Sequence, residues 1–357
     1  MKNFALVVLA AALFLGCDEG DPEFVERFQT GWEVSVQDVS SVKLSVAYAR
    51  LHGDGSATVL LTEDRADQIN RKLAAVRISA DGTQRTSKDL GTGVFLSAAV
   101  DQDEALFLIL SSYANSNTFE RVIMDANLNL QRQVFQISRP ATFHSINFTS
   151  THYFISEYET PFPGIRVRQF SYNNVAGWSQ RFSQPQIKPF PWALGDDLLF
   201  YRTNGDDSVA LTSVSATSGA VAWNNQYVPG ALSNQLPPDR TFGPVYNNGL
   251  WLSDFSFTSR ELRSAAVSMQ DGRVLSERAV AIPNDLESVF PVGELSDGGQ
   301  VVIGYNPTGT SVLKTDRQGN VGWRGNFVPN GRAVLGGNEQ LLVATPVKVY
   351  RLDPVVE

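Results

Sequence analysis

The sequence predicts an all-β protein: a ring of seven similar four-stranded units, closed by a strand taken from the N-terminal end. Three observations carry this. After residue 40, apolar residues alternate or run in short blocks broken by Gly, Asn and Asp, and no stretch sustains a 3.6-residue apolar period. Two separate landmarks repeat along the chain with one shared period. A Trp also recurs at a fixed distance behind one of them.

The first landmark is a strongly apolar run that follows a turn cluster. It occurs seven times: Ala57–Thr62, Ala105–Leu110, Tyr153–Ser156, Leu198–Tyr201, Leu250–Ser253, Gln300–Tyr305 and Gln340–Ala344. The second is an apolar strand ending in a hairpin-type turn, with turn positions at 82, 128, 174, 219, 272 and 319. Their spacings are 46, 46, 45, 53 and 47 residues. A period of that size matches the four-stranded blade of a β-propeller. The DG, SG and QG pairs in these turns allow the positive φ that tight hairpins need. Seven blades is the count this supports, with six or eight as alternatives. The spacing of 53 reads as an inserted loop (SNQLPPDR) rather than as a further blade.

Trp178, Trp223 and Trp323 each stand four residues after a turn position. The segments SATSGAVAW and TDRQGNVGW resemble the outer hairpin of PQQ-like (quinoprotein-type) propeller repeats, and SYNNVAGW resembles it in part. The resemblance implies that each Trp packs between neighbouring blades. Thr86, Arg132 and Ser276 occupy the same offset in other units, so the likeness covers about half of them.

The last unit has three evident strands, Arg332–Leu335, Gln340–Ala344 and Val347–Leu352, before Asp353-Pro354. Near the front, residues 31–36 (GWEVSV) form a strand without a unit of its own. They are expected to supply the missing outer strand, with Trp32 in the repeated Trp role. Closing the ring this way removes an exposed sheet edge.

Ahead of that strand, Met1-Lys2-Asn3 and the apolar run Phe4–Leu15 have the make-up of a signal peptide; the run is too short to span a bilayer. Gly16-Cys17 follows directly, and Cys17 is the only cysteine. This resembles the lipobox of bacterial lipoproteins, although Phe14 and Leu15 stand where Leu and a small residue are usual. The resemblance implies removal of residues 1–16, acylation of Cys17 and attachment to a membrane of the bacterial cell envelope. Residues 17–30 are polar and acidic and read as a tether, and residues 31–357 as one propeller domain.

A formal net charge of −8 argues against a nucleic-acid partner. One Cys excludes an intrachain disulfide and CxxC metal sites. His52, His144 and His152 have no zinc spacing and belong to no nucleophile motif, and the turn aspartates at 101, 103, 196, 197 and 297 lack a calcium-loop pattern. No catalytic, cofactor or metal residue is assigned. The loops joining the second and third strands are longest in the first three units, where Tyr113, Tyr158 and Phe162 are the candidate aromatic anchors. The expectation is a lipid-anchored module that binds an envelope protein. An envelope enzyme of quinoprotein, lactonase or glycosidase type, and a surface adhesin or motility component, are the alternatives.

Overall fold

The computed structural model describes residues 25–37, 43–63, 71–100, 106–111, 117–138, 140, 143–158, 164–182, 192–194, 197–203, 209–227, 249–256 and 258–356. Among them the chain is organised as strands and turns.

The first strand, β1 (Val25–Ser35), stands apart from its successors in sequence. Blade 1 then holds β2 (Leu44–Leu51), β3 (Ala57–Glu63), β4 (Lys72–Ile78) and β5 (Arg85–Thr92). Blade 2 holds β6 (Val94–Val100), β7 (Leu106–Ser111), β8 (Thr118–Met124) and β9 (Leu130–Gln136). Blade 3 holds β10 (Phe143–Phe148), β11 (His152–Tyr158), β12 (Ile165–Ser171) and β13 (Ala176–Phe182). Blade 4 holds β14 (Trp192–Leu194), β15 (Asp197–Thr203), β16 (Val209–Ser215) and β17 (Val221–Tyr227). Blade 5 shows three strands among the described residues: β18 (Gly249–Ser256), β19 (Glu261–Ser268) and β20 (Val274–Ala281). Blade 6 holds β21 (Ser288–Glu294), β22 (Gln300–Asn306), β23 (Gly309–Thr315) and β24 (Val321–Phe327). Blade 7 holds β25 (Arg332–Leu335), β26 (Leu341–Ala344) and β27 (Lys348–Val356), and its fourth strand is β1.

All pairings are antiparallel, and β1 runs along β27 from Val25↔Val356 to Ser35↔Lys348. The first and last strands thus share one sheet, and Trp32 and Val36 share a core cluster with Leu61 and Val76 of blade 1. The chain is a β-propeller.

Two boundaries differ from the sequence expectation. The closing strand begins at Val25 rather than Gly31, so residues 25–30 pair in a sheet instead of forming tether. Phe28 is the reason: it is buried against Val301, Phe327 and Leu341 of blades 6 and 7. At the other end β27 continues through Asp353-Pro354. β26 pairs with β27 only as far as Leu352, so Pro354 sits where the missing N–H costs no ladder bond on that side.

Burial falls from the middle of each blade to its rim, which explains the sequence texture. β3 (ATVLLTE) is buried at every position, because sheets flank it on both faces, and so it reads as a continuous apolar run. β5 (RTSKDLGT), the outermost strand, is mostly polar and exposed.

Neighbouring blades are sealed at the rim by complementary pairs. Trp32, Trp178 and Trp223 donate through Nε1 to the carbonyls of Ala80, Ala216 and Met269 in the next blade's outer turn, at 2.9, 2.9 and 2.8 Å. Each ring lies on that turn's glycine: Gly82, Gly219 or Gly272, all with positive φ. A Cβ at Gly82 or Gly219 would stand 2.6 Å from a ring carbon. Between blades 1 and 2 the pair is reversed. The outer strand offers Thr86, and the turn offers Leu128, a buried residue at φ 61 in the same cluster as Leu90. Trp323 meets a blade with no outer turn, because β1 and β27 are the two ends of the chain. It packs edge-on against Phe28 instead, with ring centroids 5.4 Å apart.

Candidate binding surface

Antiparallel order fixes two faces. The first-to-second and third-to-fourth strand turns lie on one, here called the turn face; the remaining connections lie on the other, the loop face. β1 enters at the turn face, beside the end of β27. Polar residues concentrate differently on the two.

On the loop face, Tyr158 ends β11 opposite Ile165 and is 48% exposed. Beside it, Arg168 Nε donates to Glu157 Oε1 at 2.6 Å, forming a half-buried ion pair. In blade 1, Glu63 closes β3 fully buried, opposite Leu44, and accepts the Lys72 amide through Oε2. Ser111 ends β7, also buried. The described loop face of blade 3 therefore offers an exposed aromatic ring at the end of β11, with the Arg168–Glu157 pair on the opposite face of the same sheet. Tyr113 and Phe162, like Cys17, lie outside the described residues.

The turn face carries two buried polar networks that single-residue reading of the sequence does not find. In blade 1, Arg77 donates to Ser56 Oγ at 2.6 Å and Thr58 Oγ1 at 3.0 Å, and also meets His52 Nε2. The same His52 Nε2 also lies 2.8 Å from Thr58 Oγ1. Asp54 completes the turn, and the Ser56 hydroxyl holds its carboxyl below the usual range. In blade 6, Lys314 Nζ pairs with Asp297 Oδ2 at 3.2 Å, and both side chains are almost fully buried. Asp297 also accepts the Gly299 amide, as expected of a turn aspartate. Arg77, Lys314 and Arg351 occupy one position in blades 1, 6 and 7, each opposite the second residue of its blade's second strand. Aligning the repeats would expose this as a cation recurring at one position of the third strand.

Arg77 and Lys314 face the hairpins of their own blades, whereas Arg351 donates to the Ala80 carbonyl in the outer turn of blade 1. Among the described residues, no three His, Cys, Asp or Glu side chains gather as a metal site would need. His152 bonds Thr151 Oγ1 through Nδ1 and stands at the start of β11.

No family model and no curated protein matches the chain. Among solved structures it is similar to BamB from Moraxella catarrhalis, at 12% identity, covering 91% of this chain and 99% of that one, with a TM-score of 0.40. It is similar to the β-propeller domain of the Trilobed protease from Pyrococcus furiosus, at 8% identity, 88% and 97% coverage and a TM-score of 0.46. The Dos1 propeller matches at 8% identity, 93% and 96% coverage and a TM-score of 0.46. Identities this low bear on fold alone.

Proposed function

We propose that the chain is a lipid-anchored β-propeller of the bacterial cell envelope whose loop face binds a protein partner. The observation that carries this reading is the face on which β1 opens. β1 opens at Val25 on the turn face, and only Cys17–Phe24 separates it from the lipobox-like Gly16-Cys17. Fully extended, those eight residues reach about 30 Å, at roughly 3.5 Å per residue. An acylated Cys17 would hold the turn face close to the membrane and leave the loop face, with Tyr158, pointing outward. A rigid ring presenting an exposed aromatic suits recognition of a protein surface.

The test combines anchoring with capture. Wild-type protein is expected in the membrane fraction with the mass of an acylated Cys17, and Cys17→Ala in the soluble fraction. A photo-crosslinking amino acid at Tyr158 should capture one defined envelope protein, and the same group in the outer turns should not. Equal distribution of wild type and Cys17→Ala would defeat the anchor. Failure to capture a protein, together with a small molecule retained in native mass spectrometry, would favour the enzyme alternative.

A further inference from the structure

Among the described residues, five exposed large apolar side chains lie at the turn-face ends of the outer strands of four successive blades. Val221, Val274 and Val321 each open the outer strand of their blade, one residue beyond the hairpin-closing position, and are 47%, 41% and 37% exposed. Leu275 follows Val274, at 46%. In blade 3 the hairpin-closing residue itself, Val175, is 66% exposed. Blades 3–6 therefore carry an apolar arc. Blades 1 and 2 have Arg85 and Leu130 at the strand-opening position, and Leu130 turns inward to the core.

We infer that this arc rests on the surface of the bilayer, so that the propeller stands turn face down. The inference deepens the proposed function and rests on its lipid anchor. Its occupant follows from the length of chain outside the described residues. A segment of eight residues ending at Val25, in the blade next to Val321, keeps Val25 within about 30 Å of the bilayer by the same extended-chain reach, on the face that carries the arc. Each half-exposed valine gains little alone on full burial, so the arc orients an anchored protein and does not attach a free one. Charge selects the lipid. Asp271 and Asp316 stand in the turns just before Val274 and Val321, and Asp18, Glu19, Asp21 and Glu23 lie in the connecting segment. An anionic surface repels these groups, and a zwitterionic one does not.

The experiment uses the full lipidated chain in phosphatidylcholine vesicles containing a doxyl-labelled phosphatidylcholine quencher. Acylation occupies the thiol of Cys17, so single variants Val221→Cys, Val274→Cys, Val321→Cys and Tyr158→Cys take one environment-sensitive fluorophore each. Expected are a blue shift and strong quenching at 221, 274 and 321, with neither at 158. Replacing a third of the lipid by phosphatidylglycerol should lower the quenching at 274 and 321. Equal quenching at all four sites, or none, on a protein whose Cys17 is shown by mass to carry lipid overturns the arc and leaves the anchor standing. An unmodified Cys17 overturns the anchor, and the arc with it.

Discussion

The seam between blades 4 and 5 and the seam between blades 1 and 2 fill the same gap with opposite halves of a pair. At the first, Trp223 of the outer strand lies on Gly272 of the next blade's turn. At the second, the outer strand has Thr86, and the turn supplies the bulk through Leu128, held at φ 61. Volume at the rim is conserved while its donor changes. The seam between blades 2 and 3 shows a third solution. There Phe119, Phe135, Phe148, Tyr153 and Tyr172 pack as one aromatic cluster, and Gln133 donates to the Tyr172 carbonyl.

The sharpest break in this comparison is Trp223→Ala. It removes a buried ring and its hydrogen bond, and should cost about 3–5 kcal/mol in denaturant unfolding. Leu128→Gly should cost about 2–4 kcal/mol, the loss of a buried Leu offset in part by relief of positive φ. Adding Thr86→Trp to Leu128→Gly should recover part of that loss by rebuilding the Trp-on-Gly pair. If the double variant is no more stable than Leu128→Gly, the two seams are not interchangeable. Gly219→Ala should cost about 1–3 kcal/mol, since the new Cβ meets Trp178 and the residue keeps φ 73.

Acid gives the mildest probe. Asp81, Asp125, Asp271 and Asp316 hold the outer turns of blades 1, 2, 5 and 6 by accepting the amides of Thr83, Asn129, Arg273 and Asn320. Their carboxyls lie below the ordinary value. The Ser79 hydroxyl takes Asp81 down to about 2, Asn129 lowers Asp125, and Ser268 lowers Asp271. For Asp316 burial pulls upward, and the bonds from Asn320 outweigh it. Lowered groups stabilise the fold above their unfolded value of 3.8, and that stabilisation is lost as pH falls through the folded value. Protection of these turn amides, measured against the intrinsic exchange rate at each pH, should therefore fall between pH 4 and about 2. The turns of blades 3 and 4, capped by Ser171 and Ser218 hydroxyls, should show no such step.

The Trp-on-Gly seams were legible in the sequence because both partners recur at fixed offsets. The Leu128 seam was not, since its two halves look like ordinary apolar residues until the turn's φ is known. The closing strand was legible through Trp32, but its true start was hidden. Phe28 sits in an acidic, tether-like segment, and only its burial between blades 6 and 7 shows it to be structural. Tyr158, read from the sequence as a loop residue, is the last residue of β11 and is exposed. The Lys314–Asp297 pair escaped because a lone Asp in a DGG turn is fully explained by its own backbone bonds. Only the fold reveals a second, buried partner.

The register of β1 on β27 also sets an order of events during synthesis. The strand made first waits for the strand made last, since Val25 pairs with Val356. At about 5–20 residues per second, the intervening chain takes on the order of tens of seconds to appear. Until then blade 7 lacks its outer member and Trp323 lacks Phe28. Anything that seizes the nascent N-terminal segment during that interval would leave an open crescent in place of a ring.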